Sequence, residues 1–273
     1  MIKKEVNFPL RGQGFFNPGM NVFPTSEKLG FEYGPECFGP EVENRTLDAI
    51  RKSLADPTCD GPEIVYSIAM DVGKNIHKAK LEELHLLYGA VTYAAGRIGN
   101  EPVRSQGHIH KKSAYANGWS TPEVYEIWSG EAIIYMQETA NDNPGRCYAV
   151  RAKEGEVVIV PPFWAHATIS ANAAEPLTFG AWCDREYGFD YDDVRAHKGL
   201  AWFPILDDLN NISWKANPAY EKSELIEKSP RIYTEFGINP GESIYAQFEK
   251  DMHKFDFVPQ PETAKDLWVD FIP

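Results

Sequence analysis

This 273-residue sequence predicts an all-β chain, its strands stacked as a sandwich or closed as a barrel. Three observations carry that expectation. Between about residue 100 and residue 185, short apolar runs recur, each bounded by Gly, Pro, Asn or Asp. The aromatic count (7 Trp, 13 Tyr, 15 Phe) suits a β-rich interior or a sugar-handling surface better than a helical bundle. A His-x-His pair at 108 and 110 also has the period of two that places alternate strand side chains on one face.

Taken in order, residues 1–60 are rich in Gly, Pro and Phe and read as an N-terminal extension, an irregular arm with one helix. Val42, Leu47, Ile50 and Leu54 recur at near-helical spacing between Pro40 and Pro57 and mark that helix. Glu63 to Val72 is strand-like. Lys78 to Leu87 can form a short helix, and a strand is expected from Tyr88 onward. Val124–Trp128 and Ala132–Met136 flank Ser129-Gly130-Glu131, a hairpin signal. Arg146–Arg151, Val157–Val160, His166–Ser170 and Leu177–Cys183 complete the strand series. Residues 61–220 then form the central domain and 221–273 a C-terminal extension. Phe248, Phe255, Phe257, Trp268 and Phe271 of that extension require a core or a partner subunit to pack on.

The formal charge of −13 argues against a nucleic-acid surface, which needs a dense Lys/Arg footprint. The sequence contains no 18-residue apolar segment, no signal-peptide pattern and no CxxC among its four cysteines, so a cytoplasmic protein with reduced thiols and no membrane partner is expected. Cys183, in an apolar run, reads as a small buried hydrophobe. An anionic substrate would need local positive charge against the overall field. Arg97, Arg104, Lys111 and Lys112 are available for that, with Ser105 and the Gly107 N–H as donors.

The chemistry concentrates in two half-motifs. His108 and His110 at i and i+2 project to one side of an extended segment, and Glu123 opens the next apolar strand. His166 follows Pro161-Pro162-Phe163-Trp164, a run that suits a rigid corner between strands. Three imidazoles and a carboxylate suit one divalent ion per subunit: Fe(2+) as first choice, with Mn(2+), Ni(2+) or Zn(2+) also compatible.

With six residues between Glu123 and Gly130, five between Gly155 and Pro161, and His166 beyond, this pattern resembles the two signature motifs of the cupins. The resemblance implies a double-stranded β-helix, a jelly-roll barrel with the metal inside. Twelve residues lie between His110 and Glu123, so a loop is inserted there, and Phe163 stands where the second motif has glycine. Ser105-Gln-Gly-His-Ile-His110, Glu123-Val-Tyr125, Tyr135-Met-Gln137 and Val158–Thr168 are similar to the cupin-type glucose-6-phosphate isomerases known mainly from archaea. The likeness runs from about Glu63 to Pro218. It implies metal ligands at His108, His110, Glu123 and His166, and substrate contacts at Tyr66, Ser105, Gly107, Tyr125 and Tyr191. Ala90 falls where the family uses a phosphate-contacting threonine, and Phe189 where it has a histidine near the sugar.

The expected activity is aldose–ketose isomerisation of a phosphosugar, with glucose 6-phosphate and fructose 6-phosphate the pair implied. Glu123 is the proton carrier and Tyr125 its neighbour two residues along the same strand face. The alternatives are another metal-dependent sugar isomerase or epimerase, an Fe(II) dioxygenase, and a non-catalytic sugar-binding cupin. The insert at 113–121 has the composition of a lid or an interface loop, and Trp119 and Trp164 suit either sugar stacking or core packing. Long arms at both ends point to a homodimer.

Overall fold

Strands that alternate apolar and polar side chains make two-faced sheets, and the computed structural model, which describes residues 14–25 and 29–273, contains two large ones. The first 13 residues of the arm lie outside that description. The strands that matter for the site are β1 (Glu43–Thr46), β2 (Ile64–Met70), β3 (Leu86–Tyr93), β4 (Ile109–His110), β5 (Glu123–Ser129), β6 (Ala132–Gln137), β7 (Cys147–Ala152), β8 (Val157–Val160), β9 (Ala165–Ser170), β10 (Leu177–Asp184), β11 (Phe189–Asp190) and β12 (Leu225–Lys228). The larger sheet has the order β8-β5-β10-β3-β2-β1 and the smaller β9-β6-β7-β12; only the β7–β12 pairing is parallel.

The expected hairpin at Ser129-Gly130-Glu131 is not one. β5 pairs with β8 and β10, whereas β6 pairs with β7 and β9, so this turn carries the chain from one sheet to the other. A register shift between Ile127 and Ser129 bends the strand end. Gly130, at φ 76°, then makes a turn that a Cβ would obstruct, because it would lie 2.7 Å from the Pro176 carbonyl oxygen. The crossings β7 to β8, β8 to β9 and β9 to β10 follow the same rule, the alternation of a jelly roll. Among the described residues no ladder joins the two large sheets.

Their inner faces share one apolar cluster. Tyr125 and Ile127 of β5 and Phe179 and Ala181 of β10 meet Ile134 and Met136 of β6 and Tyr148 and Val150 of β7. Trp164 belongs to this cluster as well and stacks on Tyr148, so core packing is its role. On β9 the alternation sends Ala165, Ala167 and Ile169 outward. That leaves His166, Thr168 and Ser170 on the inner side, which makes this stretch of the interior polar.

The C-terminal residues cover the outer face of the larger sheet. Phe248, Phe255, Phe257 and Phe271 are buried against Tyr88, Val124, Trp128 and Trp182, with Trp268 packed beside them. The Trp182 ring lies 5.0 Å from Phe248 and 5.5 Å from Phe255. The helix expected between Pro40 and Pro57 is shorter than its spacing suggested. Glu43–Thr46 is the edge strand β1, and only α1 (Leu47–Ile50), capped by the Thr46 hydroxyl, is helical before a 3-10 turn at Arg51–Ser53. Pairing with β2 captures the first turn, while Leu47, Ile50 and Leu54 keep the burial that the pattern implied. Lys78–Glu83 forms α2, and β3 starts at Leu86, two residues before the expected Tyr88.

Candidate metal centre

Backbone pairing assembles the site from both sheets. Glu123 opens β5 in the larger sheet, opposite Val160, and His166 lies on β9 in the smaller one, opposite Met136. The His108 strand is laid across the gap: His108 N–H donates to the His166 carbonyl at 3.0 Å, and His166 N–H returns the bond at 2.9 Å. One ligand atom from each of His108, His110, Glu123 and His166 then lies within 4.8 Å of every other. No other group of three or more such side chains occurs among the described residues.

The hydrogen bonds orient each ring. His110 Nδ1 bonds the Thr121 carbonyl at 2.8 Å and His166 Nδ1 the Trp164 carbonyl at 3.1 Å. Each Nδ1–H is therefore fixed as the donor, and each Nε2 is turned toward Glu123, at 3.2 Å and 3.3 Å from Oε2. Tyr125 donates its hydroxyl to the same Oε2 at 2.7 Å, and the Cys183 thiol donates to Oε1 at 3.4 Å. His108 Nε2 is buried with no hydrogen-bond partner, a cost that coordination would remove. Three inward imidazole nitrogens, one of them otherwise orphaned, beside an oriented carboxylate fit a divalent cation of the Fe(2+), Mn(2+), Ni(2+) or Zn(2+) class.

Electrostatics agree with that fit. Burial, followed by the neighbouring His166 and His110, holds His108 well below the usual imidazole range, in its neutral ligating form. Burial also lowers His166, against the pull of Glu123. At His110 burial is outweighed by the Glu123 contact and the pKa is raised. Glu123 stays well below the ordinary carboxyl range although burial opposes its charge, because the His110 and His166 rings face it.

The other expected site residues divide into three groups. Tyr125 and Tyr191 adjoin the cluster, and Tyr66 lies beside Tyr191. Tyr66 stacks on Tyr93 at 4.8 Å, and the Tyr191 ring is 6.0 Å from that of His108. Ser105 is buried beside it, its Oγ accepting from Thr168 N–H at 3.1 Å. At Gly107 (φ 89°) a Cβ would lie 2.8 Å from Leu200 Cδ1, so only glycine lets this segment approach. Arg97 and Arg104 do not join the site. Arg104 is locked to Glu101 and to the Ser53 and Ser105 carbonyls, and Arg97 donates to the Leu206 carbonyl. Ala90 faces the outer, tail-covered cluster, so a phosphate contact at that position does not carry over, whereas Phe189 lies 4.5 Å from His108, ring to ring.

Several residues have contacts at the site that the sequence did not reveal. Cys183 is buried as expected, yet its thiol also touches Glu123. The insert supplies the carbonyl that orients His110, and it is tied to the chain's own tail through Asn117–Glu262 and Gln260–Tyr115. Phe163, in the glycine position of the second motif, adopts φ 71°; its N–H donates to Ser120 Oγ of the insert and its ring lies 5.5 Å from Trp119. Arg45, in the arm, lies beside Tyr66 and Tyr191. Its only sequence signal was the general need for a cation in so acidic a chain.

Comparison with known proteins places this geometry among relatives. The family model for glucose-6-phosphate isomerase (GPI) matches residues 52–221, more than half of the chain. The glucose-6-phosphate isomerase of Thermococcus litoralis is 28% identical over 139 residues, covering 51% of this chain and 66% of that protein. That of Pyrococcus furiosus is 28% identical over 141 residues, covering 52% and 68%. That of Sinorhizobium medicae is 26% identical over 141 residues, covering 49% and 60%. The chain thus spans about two thirds or less of the length of the curated relatives it matches. Among solved structures, an oxalate oxidase is 14% identical with a TM-score of 0.34, covering 45% of this chain and 53% of that one. Vicilin from hazelnut (Corylus avellana) is 11% identical with a TM-score of 0.35, covering 48% and 33%.

Proposed function

This chain belongs to the glucose-6-phosphate isomerase family, and we propose that it interconverts glucose 6-phosphate and fructose 6-phosphate at one divalent ion held by His108, His110, Glu123 and His166. The observation that carries the reading is the meeting of four ligand atoms, drawn from separate stretches of chain, within 4.8 Å. Bound there, the ion supplies Lewis-acid stabilisation for the negative charge that develops on the sugar oxygens during isomerisation. Fe(2+) is the ion proposed.

In the proposed reaction Glu123 takes the proton from C2 of the aldose and returns it to C1, through a cis-enediol, as the carbonyl moves from C1 to C2. Its depressed pKa keeps it ionised at neutral pH, the state a base requires. Tyr125, whose hydroxyl is held protonated by burial and by the Glu123 charge, fixes the carboxylate and can donate to a sugar oxygen. Phe189 and Tyr191 provide an aromatic wall beside His108 for the sugar.

Residues 61–220 are assigned as the cupin domain, with the two extensions packed around it. A homodimer is proposed, supported by exposed Ile232 and Ile272, which the Arg231–Ile272 bond keeps close together on the tail. A cytoplasmic location is supported by four free cysteines, and no described helix is long and apolar enough to cross a membrane.

The test is to incubate the Fe(2+)-loaded protein anaerobically with fructose 6-phosphate in D2O. The proposal expects aldose carrying deuterium at C2. Aldose without deuterium would leave either a hydride shift or a proton transfer by Glu123 shielded from solvent. No aldose, with oxygen consumed in air, would overturn the isomerase reading.

A further inference from the structure

In an acidic protein a phosphosugar needs a cation at the end of the site away from the reacting carbons, and the expected candidates Arg97 and Arg104 are engaged elsewhere. Two other arginines flank Tyr191. Arg195, on α3 (Asp192–Ala196), has its guanidinium carbon 4.8 Å from the Tyr191 ring centroid, and its Nε donates to Gln106 at 2.9 Å, next to Gly107. Arg45 reaches the same tyrosine from the opposite end of the sequence. It sits on the edge strand β1 directly across from Tyr66, so the two side chains share the inner face, and its guanidinium lies close to the Tyr66 and Tyr191 hydroxyls. The Arg45 side chain is only 17% exposed. Its acidic partner Glu43 is 64% exposed, and a pair open to water on that side contributes little.

We infer that Arg45 and Arg195, converging on Tyr191, form the subsite for the dianionic phosphoryl end of the substrate. The inference rests on the isomerase reading for the identity of the sugar. The geometry suits it: the Tyr191 ring is 6.0 Å from that of His108 and 4.8 Å from the Arg195 guanidinium carbon, so a sugar held at that tyrosine is within reach of both the metal ligands and the guanidinium groups. Guanidinium groups are the side chains best shaped to hold a phosphoryl group through paired N–H donors. Arg45 precedes residue 52, where the family match begins, so this chain recruits part of its substrate site from its own N-terminal extension. That gives β1 a function besides closing a sheet edge.

The experiment compares the metal-loaded wild type with Arg45→Ala, Arg45→Lys and Arg195→Ala, reading kcat and KM for fructose 6-phosphate and the inhibition constant of inorganic phosphate. Circular dichroism of each variant reports its fold. The inference expects Arg45→Ala to raise KM by roughly 10- to 100-fold, the range of a charge-assisted hydrogen bond, while kcat falls much less. Phosphate inhibition should weaken in parallel, and Arg45→Lys should recover part of the loss. A folded Arg45→Ala with KM and phosphate inhibition within about twofold of wild type would overturn the subsite and leave the isomerase reading standing. If the wild type shows no turnover, calorimetric binding of fructose 6-phosphate decides. Tight binding lost in Arg45→Ala keeps the subsite while the isomerase reading fails, and no binding by the wild type overturns both.

Discussion

Glu123 and Glu126 lie three residues apart on β5, both buried, and they behave in opposite ways. Strand alternation puts Glu123 on the inner face, where a phenol and a thiol donate to it and two imidazole nitrogens face it, and its pKa falls well below the ordinary range. Glu126 points to the outer face, under the C-terminal tail. There its Oε1 accepts the Ile244 N–H at 2.7 Å, its Oε2 has no partner, and burial pushes its pKa up to about 8. Burial alone therefore does not decide the charge of a carboxyl in this sheet; the donors that face it do. One face of the strand is built to hold a negative charge ready for a cation, and the other to bury a neutral acid that anchors the tail.

The largest expected effect breaks the inner half of the comparison. His108→Ala and His166→Ala should each lose most of the bound metal. Glu123→Gln should keep part of it while turnover falls about 10²- to 10⁴-fold, the usual range for a lost acid–base group. Metal analysis alongside rate measurements checks this, and undiminished turnover in Glu123→Gln would refute the proton-carrier role.

The next effect sharpens the outer half. The folded state holds the Glu126 proton from the ordinary 4.5 up to about 8, whereas the unfolded chain releases it. The folded state thus binds more protons in that window, and stability falls as pH rises through it, by up to about 1.4 kcal/mol per pH unit. Glu126→Gln should flatten that slope and be more stable than wild type at pH 8, as read by urea titrations at pH 5 and pH 8. An unchanged slope would contradict the assignment. The contribution of Glu123 has the opposite sign in the metal-free protein: present above the ordinary carboxyl range and lost as pH falls below it.

The smallest effect concerns Cys183. Replacing it with Ala removes one weak thiol bond to Glu123 Oε1 and a sulfur's worth of packing. A cost of about 1 kcal/mol and a change in kcat of only a few-fold are expected. A hundredfold loss of kcat would show that the thiol is essential to the carboxylate.

The four side chains of the cluster were readable because their pattern is local: His-x-His has the strand period, and Pro161-Pro162 announces a corner before His166. The strand positions from Glu63 to Cys183 were readable for the same reason, since alternation is a property of neighbours along the chain. What was not legible depends on pairing between distant segments. Ser129-Gly130-Glu131 looks the same whether its flanking strands pair with each other or belong to different sheets, and only the partners β8, β9 and β10 settle that. Glu43–Thr46 carries the spacing of a helix start, but the open edge of β2 takes it as a strand and so aims Arg45 at the site. The engagement of Arg97 and Arg104 was not legible because charge is visible in sequence while its partners, the Leu206 carbonyl and Glu101, are not.

X-ray absorption at the iron edge of the Fe(2+)-loaded protein tests the central claim most directly. Three imidazole nitrogens and one carboxylate oxygen at about 2.0–2.2 Å are predicted, with one imidazole fewer around the residual iron that His166→Ala retains. An iron shell without imidazole, or one that His166→Ala leaves unchanged, would contradict the account.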